Sequence, residues 1–222
     1  MKRSLSLMLC AAGALVVSAP AFAHFILMSP DSWIEANALG DPQKALPCGT
    51  SDITVGKPTG KVTELKGGDP VHIKIKETIY HPGFYRVSLS VLDRKELPKD
   101  PDVVTKEGTR GPLSVSGRIE SNPQAPILVD GLFLHHQAPA KDTFWETDIK
   151  LPNINCDKCT LQIIQFMESH GLNAEGEFTY HHCAVLKITA NPALPIDKGW
   201  PGQPQSSAAG APSGGVVPAV QT

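Results

Sequence analysis

The stretch "PVHIKIKETIYHPGFYRVSLSVL", residues 70–92, contains two segments in which apolar residues occupy every second position. In the first segment these residues are Val71, Ile73 and Ile75, and "YRVSLSVL" repeats the same period from Tyr85 onward. A period of two is typical of β-strands with one face in the core and the other toward solvent. The stretch therefore predicts two half-buried strands joined by a Pro-Gly turn.

Three later segments extend this pattern, and each is bounded by residues that favour turns. They are "FWETDIKLP" (144–152), "TLQIIQFM" (160–167) and "YHHCAVLKI" (180–188). Since no long segment has a helical apolar stripe, the sequence predicts an all-β fold. We expect an antiparallel β-sandwich of the immunoglobulin or fibronectin III type. Long loops at residues 31–60 and 93–122 should cover its ends and hold any short helices.

Residues 1–23 have the features of a signal peptide. A basic start is followed by the apolar run "LSLMLCAAGALVV" and by Ala21-Phe22-Ala23, which fits the cleavage pattern of signal peptidase. The run is shorter than the ~20 residues that a membrane span requires. We therefore expect export to the periplasm or cell exterior without a membrane anchor. Cleavage after Ala23 would make His24 the first residue, whereas cleavage after Ala21 would leave two residues before it.

The remaining chain should form one ordered domain over residues 24–190. Residues 191–222 are rich in proline, glycine and alanine and predict a disordered tail. Removal of Lys2 and Arg3 leaves 18 basic and 22 acidic side chains. The absence of a basic stripe argues against nucleic acid as a partner, and we expect a monomer.

Four cysteines follow the predicted cleavage site: Cys48, Cys156, Cys159 and Cys183. In an exported chain, an even number of cysteines predicts two disulfides, for which three pairings are possible. The spacing of Cys156 and Cys159 is compatible with a local bridge. That pairing would leave Cys48 and Cys183 to join the N-terminal segment to the last strand.

The histidines differ in what their positions predict. His81 lies in the Pro-Gly turn between two strands, where a rigid scaffold can hold a metal ligand that remains reachable. His72 should face solvent from its strand. His135 and His136 are adjacent and should point to opposite faces of a strand, so they cannot easily share one ion. The sequence leaves the roles of His135, His136, His170 and His182 open.

Tyr180 is a further candidate, because it lies in the last predicted strand. There the period of two places Phe178, Tyr180 and His182 on one face and Cys183 on the other. For Phe178 the pattern favours core packing.

Together these residues resemble the lytic polysaccharide monooxygenases. The segments "GDPQKALPCGT", "HPGFYRVSL", "CDKCTLQIIQFMESHG" and "YHHCAVLKI" are more closely similar to bacterial polysaccharide-monooxygenase-like proteins. The resemblance implies a histidine brace, in which the α-amine and a ring nitrogen of His24 and a ring nitrogen of His81 bind one copper ion. Tyr180 would match the axial aromatic residue of that site.

The chemistry of these donors agrees with the implied copper site. Three nitrogens in a near-planar array suit Cu(II). An α-amine, with a pKa of about 7.7 to 8.0, loses its proton far more easily than a lysine with a pKa near 10.4. In several families a glutamine lies two positions before the axial aromatic, where this chain has Phe178. Gln165, on a neighbouring strand, could supply an amide instead.

The resemblance implies a copper-dependent polysaccharide monooxygenase that oxidises a C–H bond next to a glycosidic linkage. Such an enzyme needs an external electron donor and a chitin- or cellulose-like substrate, and Trp33, Phe133 and Trp145 are candidates for stacking on sugar rings. The alternative is a non-catalytic copper-binding protein for uptake, storage or buffering, with a closed or acidic rim or additional ligands. A third interpretation is a structural β-sandwich without metal, because a fold does not determine a function.

Overall fold

The computed structural model describes residues 24–140 and 143–203. The predicted signal peptide lies outside these residues. The described chain is all-β, as predicted, and its only helical element is a 3-10 turn at Arg94–Glu96. No described helix is long and apolar enough to cross a bilayer. The strands are β1 (His24–Ser29), β2 (Thr63–Lys66), β3 (Pro70–Ile79), β4 (Gly83–Ser90), β5 (Val103–Gly108), β6 (Gly111–Gly117), β7 (Ile127–His135), β8 (Trp145–Lys150), β9 (Cys156–Met167) and β10 (Thr179–Thr189).

Two sheets form the sandwich. One has three strands in the order β1-β3-β8, and the other has five in the order β2-β10-β9-β4-β7. Strands β5 and β6 form a separate hairpin. All strand pairs are antiparallel except β10 with β2, which is parallel, so the sandwich differs at this pair from a wholly antiparallel one. The immunoglobulin or fibronectin III type stays a prediction.

The core lies between the two sheets and follows the predicted alternation. Val71, Ile73 and Ile75 of β3 are at most 1% exposed, and they pack against inward residues of the five-stranded sheet. Burying one such side chain contributes about 1.5 to 3 kcal/mol to stability. The alternation that predicts β3 is therefore also the main source of its stability.

The outer face of the five-stranded sheet is covered as well, so β4 is buried along its whole length. Phe84, Phe166 and Phe178 form a second apolar cluster there, and Val103 of the hairpin packs against it. The prediction that Phe178 shares a face with Tyr180 is therefore wrong, because Tyr180 belongs to the inner core. Glu177 has a positive φ of 46°, which interrupts the alternation just before β10 begins.

Of the three possible pairings, the structure has the one that contains the local bridge: Cys48 is bonded to Cys183, and Cys156 to Cys159. The first joins the loop after β1 to strand β10. Cys48 and Cys183 are fully buried. The long bridge thus ties the N-terminal loop directly to the five-stranded sheet.

The chain after β10 continues to pack on the domain. Asn153 Nδ2 donates to the carbonyls of Asn191, Leu194 and Pro195, at 3.2, 3.0 and 2.9 Å. Trp200 packs against the core, and the side-chain amide of Gln203 donates to a backbone carbonyl of the loop before β9. Packed structure thus extends beyond residue 190, where the sequence analysis ended the domain. Residues 204–222 of the predicted tail lie outside the described residues.

His182 is a fully buried histidine of the inner core and should make stability depend on pH. Its Nε2 lies 3.0 Å from the Phe25 carbonyl oxygen. Burial lowers its pKa from 6.5 to about 4, an effect that the Phe25 carbonyl only partly offsets. Below pH 6.5 the unfolded chain therefore binds a proton that the folded chain rejects, so stability falls as the pH falls. This residue alone should cost about 1 kcal/mol between pH 7 and pH 5.5.

Urea unfolding at the two pH values measures this effect. His182→Gln should reduce the pH dependence by about 1 kcal/mol, whereas His72→Gln, at an exposed position of β3, should leave it unchanged. An equal pH dependence in the wild type and His182→Gln would show that another group is responsible.

Candidate metal centre

Four segments meet at one end of the sandwich and bring three histidines and a tyrosine together. His24 begins β1, His81 lies in the turn after β3, His170 follows β9, and Tyr180 lies at the start of β10. The ring centroids are 5.4 Å apart for His24 and Tyr180, 5.0 Å for His81 and His170, and 6.0 Å for His170 and Tyr180. All four residues are at most 5% exposed. The predicted residues His24, His81 and Tyr180 thus belong to one cluster.

The loop after β1 orients His24. Gly40 lies so close to β1 that an added Cβ would sit 2.0 Å from the Phe25 carbonyl oxygen, and its φ of 112° also favours glycine. This approach places Asp41 Oδ2 at 3.3 Å from His24 Nε2. A carboxylate on one ring nitrogen orients the ring and makes the other nitrogen a better ligand. That other nitrogen, Nδ1, is the one that can close a chelate ring with the α-nitrogen of the same residue.

The segment after β9 orients His81 through the backbone. His81 Nδ1 lies 3.1 Å from the Glu168 carbonyl oxygen, and the Glu168 N–H donates to the Pro82 carbonyl at 2.8 Å. Gly83 allows the turn to approach β9, since an added Cβ would lie 1.9 Å from the Phe166 carbonyl oxygen. A carbonyl can only accept, so in the neutral ring Nδ1 carries the proton and Nε2 carries the lone pair. This is the tautomer that binds a metal through Nε2.

His170 is a member of the cluster to which the sequence assigned no role. Its Nδ1 lies 2.5 Å from the Gly171 carbonyl oxygen, which leaves the lone pair on Nε2. That Nε2 is buried and makes no hydrogen bond to the described residues. Burial, and then the charge of His81, lower the pKa of His170 to about 4. His170 is therefore neutral at pH 7 and presents a lone pair inside the cluster.

The hairpin fixes the backbone of His170. The Ser114 N–H donates to the His170 carbonyl at 3.0 Å, and the His170 N–H donates to Ser114 Oγ at 3.1 Å. The hairpin lies within residues 93–122, for which the sequence predicts only a long loop. Because the position of His170 depends on this contact between distant segments, no local sequence signal could have found it.

Tyr180 and Gln165 are in register on the inner face of the five-stranded sheet. Tyr85, Gln165 and Tyr180 form one row across β4, β9 and β10. Burial, and then the charge of Asp41, raise the pKa of Tyr180 to about 12. Tyr180 is therefore a neutral phenol at pH 7. The Gln165 amide lies on the strand next to Tyr180, although it does not precede Tyr180 in sequence.

The buried side chain of Glu77 accepts hydrogen bonds from two residues of this row. Glu77, whose side chain is 2% exposed, accepts hydrogen bonds from Tyr85 Oη at 3.0 Å and Gln165 Nε2 at 2.8 Å. His135 Nε2 lies 3.1 Å from the same oxygen. Burial lowers the pKa of His135, but the Glu77 contact, the Phe133 carbonyl, the Glu77 charge and the His81 carbonyl together raise it. His135 thus lies against Glu77 and pairs in register with Gly83, two residues after His81.

The two adjacent histidines point to different environments, as predicted. His135 is buried beside Glu77, whereas His136 is exposed with its Nδ1 3.3 Å from Glu168 Oε2. The sequence predicts that a change at either residue would do little to copper binding. His135 contacts the buried Glu77, so a change at His135 could disturb the packing beside the cluster. His72, at an exposed position of β3, is the better control for copper-binding measurements.

The donor atoms of the cluster are ring nitrogens, a type of ligand that Cu(II) accepts. Within residues 24–140 and 143–203, no three side chains of His, Cys, Asp or Glu are grouped to hold an ion. A histidine brace needs only two imidazoles, because its third nitrogen is the α-amine of the processed chain. One ring nitrogen of His24 lies beside the Asp41 carboxylate, and one ring nitrogen of His81 lies beside the Glu168 carbonyl. Contacts of this kind orient imidazoles that bind metals.

No protein-family model matches the chain. No curated protein matches it either.

Proposed function

We propose that the processed protein binds copper through the α-amine and Nδ1 of His24 and through Nε2 of His81. The observation that carries this proposal is the buried cluster of His24, His81 and His170 at one end of the sandwich. Each ring has one nitrogen beside a carboxylate or carbonyl oxygen, which leaves the other nitrogen as the candidate metal donor. Nitrogen donors of this kind suit Cu(II), which stands at the top of the affinity series of divalent ions.

The surroundings of the cluster favour a binding role in uptake, storage or buffering. Phe133 and Trp145 stack on each other at 5.6 Å and pack against the core, so neither forms a flat exposed face. Trp33 is half-buried under the Arg94 guanidinium, at 4.2 Å from its ring. The carboxylates of Asp41 and Glu168 are partly exposed beside the histidines. Partly exposed carboxylates and a third imidazole beside the site support the carrier, for which an acidic rim or additional ligands are expected.

A copper monooxygenase is the second candidate, and Tyr180 is the observation that favours it. Its ring contacts that of His24 edge-on and stays a neutral phenol, so Tyr180 would lie beside a copper ion held by His24 and His81. Bound copper would supply one-electron redox chemistry with a reductant and a peroxide or oxygen co-substrate. His24 and His81 would hold the metal, and Gln165 could donate or accept a hydrogen bond beside Tyr180.

His81→Ala should weaken Cu(II) binding and change the electron paramagnetic resonance spectrum. The substitution removes one of three nitrogens but leaves the chelate of His24, so we expect a loss of about 10- to 100-fold or more. The matched control is His72→Ala, since His72 is an exposed histidine whose ring pairs with Asp148 and Glu146. Calorimetric titration of both variants measures the difference. Equal affinities with unchanged spectra would remove His81 from the site.

One further experiment distinguishes the two candidate functions. The copper-loaded protein is incubated with chitin, cellulose or xylan and a reductant, and the soluble products are analysed by mass spectrometry. Oxidised oligosaccharides that disappear in His81→Ala would establish the monooxygenase. Tight, reversible copper binding without such products would support the carrier.

A further inference from the structure

A second site lies away from the histidine cluster, in a cleft between the loop after β1 and the 3-10 turn after β4. The cleft has a volume of about 640 Å³, which is within the usual range for small-molecule sites. Apolar side chains form its walls: Trp33, Leu46, Pro47, Ile53, Leu97 and Pro98. Leu46 and Ile53 are 45% and 62% exposed. The cleft therefore presents apolar surface that the domain does not cover.

One wall of the cleft is held rigidly. Trp33 Nε1 donates to the Cys48 carbonyl at 3.0 Å, and Cys48 is bonded to Cys183 of β10. Gln162 of β9 donates to the Pro47 carbonyl at 2.8 Å. A preformed wall of this kind lowers the entropic cost of binding a ligand.

The opposite wall carries a half-buried cation, Arg94, that has no anionic partner among the described residues. The Arg94 guanidinium lies over the Trp33 ring at 4.2 Å, and no described side chain or carbonyl accepts a hydrogen bond from it. The neighbouring carboxylates are used elsewhere: Asp93 accepts from the Lys95 N–H, and Glu96 accepts from the Val91 and Leu92 N–H groups. Burial lowers the pKa of Arg94, and no opposing charge offsets it.

The positively charged residues at the rim of the cleft favour an anionic ligand. Arg94, Lys95 and Lys99 line the cleft against a single carboxylate, Asp93. A guanidinium that stacks on an aromatic ring still has its in-plane N–H groups available for a carboxylate. An apolar floor beside such a donor suits a ligand with one charged end.

We propose that this cleft binds an apolar carboxylate, such as a medium-chain fatty acid. Its alkyl chain lies against Trp33, Leu46 and Ile53, and its carboxylate receives hydrogen bonds from Arg94. The proposal is independent of the copper site, because none of the cleft residues belongs to the histidine cluster.

Calorimetric titration with octanoate tests the proposal, with octan-1-ol as the probe that lacks the charge. The wild type should bind one octanoate per chain, and octan-1-ol should bind at least tenfold more weakly. Arg94→Gln should weaken octanoate binding by about tenfold or more, the usual effect of losing a hydrogen bond to a charged group. Arg110→Gln, which removes an exposed arginine at the hairpin turn, is the matched control and should bind like the wild type.

A second variant examines the apolar wall. Ile53→Asp introduces a negative charge at an exposed position, where it should not disturb folding, and it should also abolish octanoate binding. The proposal is overturned if octanoate does not bind, if octan-1-ol binds as tightly, or if Arg94→Gln binds like Arg110→Gln. It is also overturned if the cleft variants change the oligomeric state by light scattering but leave octanoate binding intact, which would make the cleft an interface between copies.

Discussion

A single glycine added before His24 should lower the Cu(II) affinity of the processed protein by more than about 100-fold. Loss of a residue that merely hydrogen-bonds to a metal ligand costs roughly 10- to 100-fold, and the extension removes a ligand itself. The extension converts the α-amine into an amide, which is not a comparable donor. It therefore removes one of the three proposed nitrogens and also opens the chelate ring. Because His24 Nε2 faces Asp41 at 3.3 Å, only Nδ1 of this ring would then remain for the metal.

The measurement is calorimetric titration and electron paramagnetic resonance on four samples: the protein that begins with His24, the glycine-extended form, His81→Ala and His72→Ala. The extended form should lose more affinity than His81→Ala, and His72→Ala should match the unmodified protein. If the extended form binds Cu(II) as tightly as the protein that begins with His24, with the same spectrum, the N-terminal histidine is not a ligand. Both proposed copper functions would then lose their central residue.

The strands could be predicted from the sequence where burial is one-sided. In β3 the alternation of Val71, Ile73 and Ile75 with polar residues matches the alternation of buried and more exposed positions along the strand. The hairpin β5–β6 gave no such signal, since β5 is mostly exposed, β6 is mostly half-buried, and both strands have few apolar residues. Its position depends on contacts with β9 that the local sequence does not encode.

The candidate site shows the same limit. His24, His81 and Tyr180 could be selected because a processed terminus, a turn and a strand face are local features. Asp41, His170 and Glu77 could not, because each reaches the site through a loop approach or a contact between strands. The Tyr85, Gln165 and Tyr180 row follows from the strand register, which requires the pairing of β4, β9 and β10 to be known. Residues that reach the cluster through contacts between distant segments are thus harder to predict than residues marked by local features.

Removing the long disulfide should cost more stability than any other single change considered. Cys48 and Cys183 are 135 residues apart, whereas Cys156 and Cys159 are separated by 3. In the loop-entropy model the long bridge stabilises the folded state by about 5 kcal/mol and the short bridge by about 1.5 kcal/mol. The difference arises in the unfolded chain, because the long bridge restricts most of the domain.

Two double variants test this difference by urea unfolding: Cys48→Ser with Cys183→Ser, and Cys156→Ser with Cys159→Ser. The first should lower the free energy of unfolding by about 3 kcal/mol more than the second and shift the midpoint accordingly. The first pair is buried, and its loss also releases the wall that carries Trp33, since the Trp33 indole donates to the Cys48 carbonyl. Equal losses in the two variants would mean that local packing, rather than restriction of the unfolded chain, accounts for the contribution of the long bridge.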